Sequence, residues 1–170
     1  MSITYQVEPW ETAYPEMAVY WHEHWKEVAT HQEAIPLNPD VAWFETLARQ
    51  GQLHVVTVRQ DGALIGYHMA VLRGHPHYKH SLTAFTDAYY VHPEHRKGLV
   101  GYKLFQHVER TLKARGVERI YTGTKRSLDM SHLFERLGWQ HTEQLFVKYL
   151  GPADPPGELW EIDTLQDPPS

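Results

Sequence analysis

The sequence predicts an α/β domain of the α+β kind, with a central mixed, mostly antiparallel sheet flanked by about four helices. Three observations predict it. Strand-like runs at 53–58, 63–72 and 82–91 follow one another closely, and Asp61-Gly62 between the first two is a strong hairpin signal. Apolar residues at helical spacing stand before these runs, around 17–28 and 41–48, and after them, at 101–112, so helices flank the strands in sequence. The stretch from Tyr89 to Leu104 joins the two patterns: an apolar run stops at Pro93, crosses a basic segment and enters an amphipathic helix.

Taken in order, residues 3–9 alternate as a first strand that ends at Pro9. A helix follows, with Pro15 suited to its first turn and Met17, Trp21, Trp25 and Val28 recurring at spacings of three and four. His22 and His24 on it, two positions apart, point to different faces and are read as surface or groove residues. Asn38 as cap and Pro39 at the first position start a second helix, which Gly51 ends. The meander comes next, with Gly66 marking a bulge or a close backbone approach and 74–80 a polar loop. After the helix of 101–112, closed by Gly116, a strand at 117–124 precedes a short helix capped by Ser127 or Asp129 and stopped by Gly138. A last strand is expected from Trp139 to Leu150.

Residues 1–150 read as one domain and 151–170 as an acidic, Pro-rich tail. Such composition favours disorder, but Leu159, Trp160, Ile162 and Leu165 give the tail apolar residues to pack on the domain or on a second copy of the chain, as in a homodimer. The 170 residues contain no cysteine, which excludes disulfides, thiolate catalysis and cysteine metal sites. No apolar leader and no run approaching 18 apolar residues is present, so a cytoplasmic protein without a membrane partner is expected. Charge is unevenly spread: residues 1–50 carry 2 bases and 8 acids (2 − 8 = −6), residues 51–150 carry 14 and 8 (14 − 8 = +6), and the tail adds −5. A positive middle suits a phosphorylated cofactor, an acidic first part suits a cationic partner, and the net −5 disfavours nucleic acid.

The positive middle holds the turn V-H-P-E-H-R-K-G-L-V-G-Y-K-L. Its backbone N–H groups, the positive end of the helix behind it, and Arg96, Lys97 and Lys103 make an anion cradle suited to a pyrophosphate. With L-F-E-R-L-G-W at 133–139 and Lys148-Tyr149-Leu150 after it, this segment resembles the GNAT N-acetyltransferase superfamily over residues 3–150. The glycine pattern departs from the family's Q/R-x-x-G-x-G/A: R-x-G-x-x-G stands here, similar to a variant among GNAT homologues of bacteriophages.

The resemblance implies acetyl-CoA as cosubstrate. Pantetheine would pair with the strand of Tyr89, Tyr90 and Val91, and the phosphates would meet Arg96, Lys97, Gly98, Leu99, Val100, Gly101 and Tyr102. Lys125 and Arg126 are candidates for the nucleotide end. Transfer to a primary amine, small or on a protein, would proceed by direct attack in a ternary complex, since no cysteine is present to carry the acyl group. Asp87 is the candidate to bind the incoming ammonium, to take its proton, or to work through a water. Phe134 occupies the position where the family often has a tyrosine that protonates the departing thiolate. Tyr121, His132 or a water are the remaining proton sources, or the thiolate leaves unprotonated. The competing reading is a non-catalytic acyl-CoA-binding or protein-interaction module. Thirteen histidines invite a metal, but His75, His77 and His80 lack a neighbouring carboxylate or cysteine, and no metal is expected.

Overall fold

The computed structural model describes residues 2–152. Five strands form one sheet in sequential order: β1 (Ile3–Val7), β2 (Leu53–Gln60), β3 (Ala63–His75), β4 (Tyr78–Val91) and β5 (Val117–Tyr121). Neighbours are antiparallel except β4 and β5, which run parallel. Four helices flank the sheet among the described residues: α1 (Trp10–Val28), α2 (Val41–Arg49), α3 (Val100–Ala114) and α4 (Ser131–Arg136). The mixed, mostly antiparallel sheet with its helices is the architecture that the sequence predicts.

Local chemistry explains the joints. Asp61 and Gly62 take φ of 49° and 89°, the pair of positive values that a two-residue hairpin between twisted strands needs. Side chains on β2 and β3 are apolar in both directions because helices cover both faces. Val55, Tyr67 and Met69 pack with Trp10, Met17, Phe44 and Leu47 of α1 and α2. On the other face Val56, Val58, Ala70 and Ala84 pack with Leu104, Val108 and Leu112 of α3. Gly66 is a close approach, as expected: a Cβ there would stand 2.7 Å from the Tyr90 carbonyl oxygen. A bulge lies beside it, since Val58 pairs with Gly66 while Arg59 pairs with Leu64.

Several boundaries differ from the sequence reading. Helix α1 starts at Trp10, so Pro15 lies inside it; burial of Trp10 against Tyr14 and Phe44 outweighs the missing N–H. Asp40, not Asn38, caps α2, accepting from the Trp43 N–H at 2.9 Å. Of 74–80, only the tip is a turn, because β3 and β4 keep pairing as far as His75 and Tyr78. β5 stops at Tyr121, since β4 parts from it beyond Phe85. Residues 139–150 form no strand: a strand needs a ladder partner, and no described residue supplies one. Leu145, Phe146 and Leu150 are consequently exposed. The expectations for the tail fall on residues 153–170, outside those described.

Candidate active site

The site begins with a register fault in β4. Met69 pairs with Ala88 and Ala70 with Thr86, so Asp87 is the extra residue of a β-bulge. Bulges break the ladder and re-aim side chains, and this one lies just where β4 loses β5: the parallel pairing ends at Phe85–Tyr121, while β4 runs on to Val91. Its edge from Thr86 to Val91 therefore opens into a wedge whose other wall is the segment after Tyr121. A chain of amides can pair with such an unladdered edge.

At the end of the wedge β4 enters the cradle. A short 3-10 turn (Pro93–His95) reverses the chain, Gly98 takes φ of 80°, and α3 starts at Val100 with no side-chain cap. Among the described residues no protein group accepts a hydrogen bond from any N–H between Lys97 and Tyr102; the first helical bond runs from the Lys103 N–H to the Leu99 carbonyl. This row of free donors lies at the positive end of a fifteen-residue helix, with Lys97 and Lys103 exposed beside it. Gly98 supplies the left-handed conformation of the turn, so the displaced glycine still permits the cradle. Gly101 is not required for space, since a Cβ there would meet only Leu133 at 3.8 Å.

Arg96 differs in role from the sequence reading. Its Nε donates to the Val91 carbonyl at 2.7 Å and its Nη2 to both oxygens of Glu27 at 2.7 and 2.9 Å. The guanidinium is thus turned inward and ties the turn to α1. Tyr90 is buried beneath it in the core, and Val91 pairs with Gly66. Tyr102 lies under the guanidinium of Arg136, 5.2 Å from its ring centre. Leu99 is exposed, whereas Val100 is buried. Lys125 and Arg126 stay exposed in the loop that leads to α4.

Asp87 lies on the α1/α2 side of the sheet, with the Tyr67 hydroxyl near enough to feel its charge. Its side chain keeps access to water at the bulge, yet the surrounding walls are dense and burial raises its carboxyl above the usual range. A raised carboxyl is a better proton acceptor than a free aspartate. The Tyr67 hydroxyl is 3.1 Å from His24 Nδ1, and burial holds that imidazole below its ordinary value. His24 is therefore a groove residue beside the site; His22 stays outside, stacked on Trp25.

On the α3 side the wedge is lined by rings. Phe134 is buried in edge contacts with Phe105 and Tyr89 and beside Trp139, so its position holds an apolar plug. The Tyr89 hydroxyl crosses the wedge to the Gly123 carbonyl at 2.9 Å. Tyr121 faces the opposite way, stacked on Phe85 with ring centres 5.3 Å apart. His132 is exposed on α4. Tyr89 and Tyr121 thus lie on opposite sides of the sheet, Tyr89 against Phe105 and Tyr121 against Phe85. Sequence alone gave Tyr89 no hydroxyl role; its alternation with Tyr90 was the available signal, since one of the two had to face away from α1.

The histidine-rich hairpin gathers no metal-ligand set. Among the described residues the three side chains that come nearest to one are His92, Glu94 and His95, with ligand atoms within 4.8 Å of one another, at the outer rim of the cradle.

A sequence profile described as the Acetyltransferase (GNAT) family matches residues 10–139. The chain belongs to that family. It is an acetyltransferase of the GNAT type. Solved structures agree on the fold. A ribosomal-protein-alanine N-acetyltransferase from Brucella melitensis biovar Abortus 2308 superposes with a TM-score of 0.69 at 18% identity, covering 89% of this chain and 100% of that one. A predicted acetyltransferase with acetyl-CoA from Clostridium acetobutylicum gives 0.67 at 13% identity, covering 88% and 97%. AAC(6')-Iy, in complex with the bisubstrate analogue CoA-S-monomethyl-acetylneamine, gives 0.61 at 21% identity, covering 88% and 98%. No curated protein matches in sequence. No helix among the described residues is long and apolar enough to cross a membrane.

Proposed function

We propose that this acetyltransferase moves the acetyl group of acetyl-CoA to a primary amine by direct attack in a ternary complex. The observation that carries the reading is the unpaired row of N–H groups from Lys97 to Tyr102 at the end of a bulged, half-free strand. A pyrophosphate would satisfy those donors, and the free edge from Thr86 to Val91 would pair with the pantetheine amides, bringing the thioester to the bulge. Lys97 and Lys103 add charge, while Arg96 keeps the turn in shape through Val91 and Glu27.

An alkylammonium has a pKa near 10.4, so the acceptor must lose a proton before its nitrogen can attack. Asp87 holds the ammonium, and its raised carboxyl takes the proton, directly or through a water. The nitrogen then bonds to the thioester carbon, gives up its second proton to sulfur or to solvent as the C–S bond breaks, and the sulfur leaves as thiol or thiolate. Tyr89 lies on the Phe134 side of the sheet, so its hydroxyl is assigned the return of a proton to sulfur, and Tyr121, on the Asp87 side, is assigned to the acceptor.

The test is a thermal melt with acetyl-CoA followed by thiol release across a panel of amines. Acetyl-CoA at 100 times its dissociation constant should stabilise the protein by about 2.7 kcal/mol. If millimolar acetyl-CoA leaves the transition unmoved, the reading fails.

A further inference from the structure

The same face of the sheet as Asp87 carries a second group of residues, which joins the first at Tyr121. Thr83 of β4 stands in register with Arg73 of β3 on one side and Arg119 of β5 on the other. The Arg73 guanidinium lies 4.3 Å from the centre of the Phe85 ring, and Phe85 stacks on Tyr121 with only 6° between the planes. Arg119 lies 4.6 Å from the Tyr78 ring centre and donates to the Tyr121 hydroxyl at 3.3 Å.

Among the described residues neither Arg73 nor Arg119 has a carboxylate partner, although Arg59 and Arg96 both do. And Thr83 is fully buried between the two arginines with a hydroxyl oxygen that has no hydrogen-bond partner. Lys79 on the adjoining hairpin adds to the cationic character of this end. Glu118, the nearest acid in sequence, lines a cleft on the α3 side with Lys113 and Gly116 instead.

We propose that the acceptor is an elongated amine with a flat or apolar middle and an anionic far end, a carboxylate in the simplest case, held by Arg73 and Arg119 while its ammonium meets Asp87. This rests on the acetyl-transfer reading above and names the substrate class of that site. Spacing supports it: Phe85, under Arg73, is two residues from the bulge, about 7 Å along the strand, and Thr83 is four residues away, about 13 Å. The stacked Phe85 and Tyr121 rings lie between the two ends and suit a planar or methylene middle. A guanidinium braced on an aromatic ring is preorganised to bind a carboxylate through two N–H groups. Polycations such as linear diamines would meet repulsion at the far end.

The test compares 4-(2-aminoethyl)benzoate with phenethylamine, which lacks only the carboxylate, and with 1,5-diaminopentane. Calorimetric titration into the CoA-bound protein reads binding, and thiol release with acetyl-CoA reads turnover. The carboxylated amine is expected to bind at least ten-fold more tightly than phenethylamine, with kcat/KM raised in the same order and 1,5-diaminopentane last. The pair Arg73→Ala and Arg119→Ala should bring the binding ratio near one, and Arg73→Lys with Arg119→Lys should restore part of it. Should the carboxylated amine bind no more tightly than phenethylamine to the unaltered protein, or the ratio survive both alanines, the inference is overturned. Because titration needs no turnover, failure of acetyl transfer with a preserved binding ratio would refute the catalytic reading alone.

Discussion

At the β1 edge of the sheet the buried charge of Glu8 is answered by Arg59; at the β5 edge backbone donors stand open. Arg59 on β2 gives its Nε and Nη2 to Glu8 at 2.7 and 3.0 Å and its Nη groups to Glu16 at 2.7 and 3.0 Å, while Thr57 and Gln6 also donate to Glu8. Hydrogen bonds from Arg59 hold the Glu8 carboxyl down at about 2. Nearby, His54 is fixed as the neutral tautomer: Arg115 donates to its Nδ1 at 3.2 Å, so its Nε2–H is left to bond Thr111 at 2.9 Å. Across the sheet, the edge of β4, the N–H groups of 97–102 and the Thr83 hydroxyl lack partners among the described residues. The lesson is that, among the described residues, the backbone donors and the strand edge left open lie on the side where ligands are proposed to bind.

Breaking the answered edge should have the largest effect. Arg59→Ala leaves Glu8 buried without its partner and should cost about 3–5 kcal/mol in denaturant unfolding; a loss under 1 kcal/mol would show that the network contributes little. Asp87→Asn at the open edge should instead leave stability and acetyl-CoA affinity near their original values and lower kcat roughly 10²-fold, the low end for general-base assistance. Equal losses in cofactor affinity and kcat would contradict its assignment to the acceptor.

A third difference is in response to acid. Burial pushes His68 down to about 3 and His54 to about 4, so the folded protein takes up these protons only well below the unfolded value of 6.5. Between about pH 6.5 and 4 the unfolded chain therefore binds more protons, and stability must fall as pH falls, by up to about 1.4 kcal/mol per pH unit for each group. His54→Gln should flatten the slope measured by unfolding at several pH values; an unchanged slope would assign the acid response to other groups. The smallest effect is expected at Phe146, 88% exposed and outside any ladder. Phe146→Ser should change monomer stability by less than about 0.5 kcal/mol. A larger loss that depends on protein concentration would mean that the segment is buried in an assembly.

Much of the fold can be read along the chain because its signals are local. Asp61-Gly62 announces a turn that needs positive φ at both positions, and the spacing of Leu104, Val108 and Leu112 announces the buried face of α3. The segment 139–150 shows the limit: L-F-V-K-Y-L has strand chemistry, but pairing is a property of two segments. The inward turn of Arg96 was likewise illegible, since Glu27 lies 69 residues away.

The sequence by itself determined that a basic, glycine-containing turn follows a strand and opens a helix, because Pro93, Gly98 and the basic residues act within one turn of each other. Tertiary structure alone decided that Asp87 is a bulge, that β4 parts from β5 at Phe85, and that Tyr89 and Tyr121 face opposite sides. The physical reason is that register and splay are set by hydrogen bonds between strands and by helices packing on each face, and neither leaves a mark in any single stretch of residues.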